Sequence, residues 1–191
     1  SPYAMNGAYA LGRAMDSLVI DAALGTSKTG ENGTTNTAFD TANQQIAAGA
    51  AGLTVAKLRE AKKILLSNEV DVEMDPLYIA VTANQLDDLL GTTEVTSADY
   101  NTVKALVQGQ INTFMGFNFI HTELLGVDGS SDRRVIAWAK SGMHLGMWND
   151  ISGRVSERAD KSYSNQVYVS GTFGATRTEE GKVVEILCTE A

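Results

Sequence analysis

Between Pro2 and Leu24 the apolar positions Ala4, Ala8, Leu11, Met15, Leu18 and Ala22 recur at steps of four and three. That is the 3.6-residue period of a helix with a single apolar stripe. Ser1 suits an N-cap and Pro2 the first helical position, where its missing N–H is not needed. Asn6, Arg13, Asp16, Ser17 and Asp21 fall on the far side, and Gly25 stands where a helix stop belongs. At 1.5 Å per residue the pattern predicts a rod of about 33 Å, whose narrow stripe of mostly small residues must lie across something flat. The flat partner is expected at the other end of the chain, where the period changes to two after Gly146. Val167, Val169, Gly171 and Phe173 share one face, with Tyr168, Ser170 and Thr172 on the other. Val184, Ile186 and Cys188 continue the alternation after a turn near Gly181, and these strands are read together as one long hairpin under the opening helix.

The middle follows a different pattern. Gly25–Thr37 reads as a linker of Gly, Thr, Ser and Asn. Thr54 can cap a helix with apolar positions Val55, Leu58, Ala61, Ile64 and Leu65, and Lys62 and Lys63 sit in its last turns, where cations suit the helix dipole. After Asp75–Pro76, the run Leu77–Val81 reads as a buried strand. Thr82 to Gln85 forms a capping box for a short helix carrying Leu86, Leu89 and Leu90. Ser97 caps a further helix with Tyr100, Val103, Leu106 and Val107. Phe117–Glu123 alternates as a strand and Val135–Ala139 is a second apolar run, so residues 49–142 predict a mixed α/β lobe.

Composition narrows the function classes. The chain has 191 residues, 43% hydrophobic and 20% charged, enough for a sizeable core and unlike a disordered chain. Its net charge of −8 comes with scattered basic residues, which argues against a groove that tracks nucleic-acid phosphates but not against a protein that encloses nucleic acid. Cys188 is the only cysteine, so no disulfide framework or thiolate metal cluster is expected, and in an apolar strand it reads as a small buried side chain. No apolar run approaches the ~18–20 residues of a bilayer span, so no membrane partner is expected.

The search for catalytic chemistry yields little. Gly25–Gly30 has the glycine spacing of a phosphate loop, but Glu31 stands where the lysine is required and the glycines follow a helix. His121 and His144 lack any metal-ligand spacing; His121, alternating with Phe117, Phe119 and Glu123, reads as a partly buried histidine satisfied by a neighbour. Glu69, Asp71, Glu73 and Asp75 alternate with apolar residues and would share a face if extended, which makes them the best cation candidate. They lack the glycine and ligand spacing of a calcium loop, so a solvated edge is the favoured reading. No catalytic residue, metal or cofactor is therefore assigned. Arg154, Glu157, Arg158, Asp160 and Lys161, a dense mixed-charge group beside the hairpin, are the candidate intersubunit contacts, because opposite charges fix register between partners.

Three segments carry a resemblance: Ala10–Asp16, Gly91–Phe117, and Glu157 through Phe173–Arg177 to Ile186. They resemble the major capsid proteins of tailed bacteriophages and prophages, over essentially the whole chain. The resemblance implies an α+β fold of the Hong Kong phage type, with a long spine helix packed on a long β-hairpin as a peripheral domain (1–48 and 143–191) and a mixed α/β axial domain (49–142). It implies a structural protein, not an enzyme, that self-assembles into hexamers and pentamers of an icosahedral shell enclosing double-stranded DNA without sequence-specific binding. It further implies portal or scaffolding proteins as partners, and a virion protein made in the bacterial host cytoplasm. The family's N-terminal arm and extended loop are absent from this sequence, so a truncated core that is monomeric or weakly associated is expected. Two rivals predict different observations: an encapsulin-like compartment shell shares the fold, whereas a small α/β enzyme or ligand-binding domain requires a deep pocket around Tyr78, His121 and Trp138. An adhesin or tail component would be closed and all-β.

Overall fold

The computed structural model describes residues 2–91 and 113–190. The opening periodicity becomes α1 (Pro2–Leu24), with the stripe from Ala4 to Ala22 half-buried. Asn6, Arg13, Asp16 and Asp21 are exposed, while Ser17 is half-buried rather than on the outer side. The expected linker is not featureless. It folds back as β1 (Ser27–Thr29) paired antiparallel with β2 (Thr35–Thr37), the turn helped by Gly30 and Gly33 at positive φ. Threonines supply what a strand wants here, which the Gly and Asn content of the segment obscures.

Residues Gln45–Ile46 (β3), Leu77–Val81 (β4), Thr113–Phe114 (β5), Phe117–His121 (β6), Arg133–Ala139 (β7) and Val183–Cys188 (β10) form one sheet in the order β3-β10-β7-β4-β6-β5. Every residue of β10 is buried, and the strand pairs antiparallel with β7 from Val183↔Trp138 to Cys188↔Arg133. This corrects the hairpin reading of Val184, Ile186 and Cys188. Period two gives two faces but does not say which strand lies alongside, and a strand buried on both faces belongs in the middle of a covered sheet.

Against the sheet pack α2 (Val55–Ser67) and α3 (Ala83–Gly91). Thr54 caps α2 as expected, its Oγ1 accepting from Lys57 N at 3.3 Å, and Leu58, Ala61 and Leu65 are fully buried. Burial of each such leucine stabilises by about 1.5–3 kcal/mol. The box at α3 closes from one side: Gln85 Oε1 accepts from Thr82 N at 3.1 Å and also from the Thr82 hydroxyl. The helix expected after Ser97 lies outside the described residues.

The long hairpin is β8 (Met143–Arg158) with β9 (Ser164–Arg177), a two-stranded antiparallel sheet of its own. Register shifts near Met147–Asn149 and Asn149–Ser152 insert extra residues into β8, the mark of β-bulges that bend a strand and increase its twist. Ser162 and Tyr163, both left-handed, reverse the chain at the tip. Helix α1 runs along β9, and at Gly7 the two come close enough that a Cβ would stand 2.6 Å from Val169 Cγ2. The helix and hairpin therefore form a plate, and the C-terminal end of α1 reaches the central sheet through Ile20 and Leu24.

Candidate functional site

The joint between plate and sheet is built on Arg177, the last residue of β9, 4% exposed. Its Nη1 donates to Ala23 O at 2.7 Å and Gly25 O at 2.9 Å, two carbonyls at the C-terminus of α1. Its Nη2 donates to Thr37 O at 3.4 Å in β2, its Nε to Glu180 Oε2 at 2.9 Å, and its guanidinium lies 5.3 Å from the centre of the Phe39 ring. A helix end leaves carbonyls without intrahelical partners, and one planar fork satisfies two of them while binding a carboxylate. Glu180 also accepts from Asp40 N at 2.7 Å. The sequence reading missed this role; the one signal was an arginine ending an apolar alternation.

Two further ionic links tie the sheet together. Glu185, fully buried in β10, accepts from Arg134 and from Gln45 Nε2 at 2.6 Å. Glu190 receives a two-pronged contact from Arg133, at 2.9 and 2.7 Å, and accepts from Gln85 Nε2 at 3.0 Å. The Arg133 hydrogen bond holds the Glu190 carboxyl down at about 2, against an ordinary 4.5. A depressed carboxylate contributes stability in full above its unfolded pKa and loses it as pH falls through the folded one. Glu190→Gln is therefore expected to flatten the loss of thermal stability between pH 4.5 and 2. Melting curves in which wild type and variant fall in parallel over that range would contradict this.

The sequence-assigned residues separate. Arg154, Glu157, Arg158, Asp160 and Lys161 all sit exposed at the distal end of the hairpin and its turn. Within the chain only one pair of them meets: Arg158 Nε donates to Asp160 Oδ1 at 2.8 Å, which lowers the pKa of Asp160. His121 is exposed rather than partly buried, but it does have its neighbour, Glu123 Oε1 at 2.9 Å from Nε2; the same oxygen accepts from Ala83 N at the start of α3. His144 is exposed on β8.

The acidic series is not extended. Glu69 takes positive φ, Asp71 Oδ1 accepts from Glu73 N and Met74 N, and Asp75 binds Ser141 N and its hydroxyl, so the carboxylates serve separate turns. Ser27–Thr29 of the apparent phosphate loop is strand, with no cradle of amides. Cys188 is buried, and burial pushes its thiol up to about 12. Tyr78 and Trp138, cross-strand partners on β4 and β7, stack on each other at 5.9 Å between ring centres.

The large concave surface lies elsewhere. A groove of about 940 Å³ runs between the first half of α1 and the hairpin, lined by Tyr3, Gly7, Ala10, Leu11, Val155 and Val167 among others. The plate also exposes large apolar side chains: Tyr3, Met5 and Tyr9 on α1, with Met147, Trp148, Val155, Tyr163 and Tyr168 on the hairpin, Trp148 at 88%. Among the described residues both outer edges of the β8–β9 pair are unpaired. Long free edges beside apolar side chains are what a strand pair offers to another surface. Fold and surface together present a plate with uncovered apolar side chains and strand edges.

The chain belongs to the phage capsid proteins, whose family sequence profile matches residues 1–190. Solved structures agree on the fold. A chain of Mycobacterium phage Che8 is 20% identical and superposes with a TM-score of 0.68, covering 96% of this chain and 61% of that one. The capsid of cyanophage P-SCSP1u is 16% identical with a TM-score of 0.67, covering 100% and 66%. The head of Helicobacter pylori bacteriophage KHP40 is 12% identical with a TM-score of 0.64, covering 92% and 65%. The chain thus spans between 61% and 66% of the length of these three proteins. No curated protein matches it. Its fold is the tailed-phage major capsid fold, with the spine helix where the pattern predicts it and the hairpin made by β8 and β9, not by β9 and the last strand.

Proposed function

We propose that this chain is the shell-building core of a major capsid protein, whose copies associate as hexamers and pentamers of an icosahedral shell around double-stranded DNA. The observation that carries the reading is the family match over residues 1–190. It is supported by a plate that leaves its apolar side chains and strand edges uncovered. The role is architectural and needs no catalytic step, because assembly draws on repeated complementary contacts and not on a convergent set of titratable groups. In this reading residues 1–48 with 143–191 are the peripheral part and 49–142 the axial part, except that β3 and β10 join the axial sheet they complete. The protein belongs to the virion, is made in the host cytoplasm, and works with portal or scaffolding proteins.

In this reading Arg154, Glu157, Arg158, Asp160 and Lys161 form a polar contact between subunits. Their position at the end of a long projecting hairpin is where a neighbour is reached first. Expression of the full-length gene product in bacteria followed by electron microscopy is expected to give closed shells. The double reversal Arg154→Glu/Arg158→Glu is expected to abolish them while circular dichroism stays unchanged, since these side chains are exposed. Shells of normal yield from that variant would remove the tip from the interface, and an absence of shells from the wild-type product would remove the capsid role.

A further inference from the structure

The outer face of α2 carries Arg59, Lys62 and Lys63, which line a shallow depression of about 420 Å³ with Leu66 and Ser67. Positions 59, 62, 63 and 66 are spaced i, i+3, i+4 and i+7, so they share one face, beside the one that buries Leu58, Ala61 and Leu65. Elsewhere Arg133, Arg134, Arg158, Arg177 and Lys182 each form an ion pair. Among the described residues no carboxylate comes within ion-pair distance of Arg59, Lys62 or Lys63, and Glu60 on the same helix reaches none of them. Like charges at i and i+4 cost a helix about 0.2–0.5 kcal/mol, a cost that no ion pair among the described residues offsets. Lys62 is moreover held in place: its Nζ donates to Met115 O at 2.9 Å in the β5–β6 turn and keeps its other protons for a ligand.

We propose that this face binds the phosphate backbone of duplex DNA, which makes α2 part of the surface that meets the enclosed genome; the inference rests on the capsid reading and adds to it a residue-level contact. A second copy of the chain is the competing occupant, and it fits less well. The densest acidic run available on a copy is Glu69–Asp75, where the Asp71 and Asp75 carboxylates are already bound to backbone amides. That leaves Glu69 and Glu73 to meet three cations, whereas a phosphate backbone presents anions at close, regular intervals.

The test is fluorescence anisotropy of the protein with a labelled 20-bp duplex of arbitrary sequence, at several salt concentrations. Three neutralised phosphates give a slope of log affinity against log salt near −2.7, about a 40-fold loss between 50 and 200 mM. Arg59→Glu/Lys63→Glu is expected to remove this binding, and Arg13→Glu/Lys28→Glu, with the same change in total charge on exposed residues, is expected to keep most of it. Equal loss in both variants would mean that binding follows net charge, and the site would be wrong. Displacement of the duplex by poly-glutamate as readily as by inorganic polyphosphate would assign the face to a protein partner and overturn the proposal. Shell formation, followed separately by electron microscopy, is expected to survive Arg59→Glu/Lys63→Glu. Loss of shells in that variant alone would make α2 a subunit contact instead.

Discussion

Arg177→Met is expected to cost on the order of 3 kcal/mol in unfolding free energy, among the largest effects of any single change to a polar side chain of this protein. The methionine fills part of the same buried volume, so the loss is electrostatic. It leaves the carbonyls of Ala23, Gly25 and Thr37 without their donor and the Glu180 carboxylate without its cation. Each unsatisfied buried group carries a penalty of about 1–3 kcal/mol, and because all of them face one side chain they fail together. Arg177→Lys is expected to fall between the two, since one ammonium keeps the charge but cannot span helix end, strand and carboxylate as a planar fork does. Urea unfolding followed by circular dichroism measures this; a change below about 1 kcal/mol for the methionine variant would mean that the joint is held by packing alone.

Gly7→Leu is expected to lift the first half of α1 from the hairpin. The Cβ position is fixed by the helix backbone, and it would lie 2.6 Å from Val169 Cγ2, a contact that ordinary side-chain rotation does not relieve. Val169 is β-branched and stiff at χ1. Overpacking of this kind costs about 1–3 kcal/mol, and here the strain is released by opening the groove between Tyr3 and Val167. The second-site change Val169→Ala is expected to recover most of the loss, a coupling that a double-mutant cycle measures directly. Faster amide exchange in α1 of Gly7→Leu, reversed by Val169→Ala, would mark the helix as the element that moves. Additive effects of the two substitutions would refute the contact. In the shell reading, the single variant also loses particle yield, because a plate with a raised helix no longer repeats by symmetry.

Local signals carried much of the fold. The α1 stripe, the Thr54 cap, the Thr82–Gln85 box and the strand at Leu77–Val81 each depend on residues within one or two turns of one another, and the structure keeps all four. The candidate site was legible only as a set of charges. Arg154 through Lys161 could be seen as dense and mixed, yet their place at the end of a 16-residue strand comes from the pairing of β8 with β9. Lys62 and Lys63 looked like cations suited to the negative end of a helix, and Arg59 drew no reading. That no carboxylate among the described residues pairs with these three depends on which elements pack beside α2.

By itself, then, the order of residues determined helix against strand, the apolar faces, and the family to which the whole pattern belongs. Tertiary structure alone decided that Val183–Cys188 leaves the hairpin for the centre of the sheet, that a threonine-rich linker pairs with itself, and that Arg177 closes the end of a helix more than 150 residues away in sequence. The physical reason is the same in each case. Periodicity and capping are set by neighbours along the chain, whereas strand partners and buried ion pairs are chosen by free energies that exist only once distant segments have excluded water from between them.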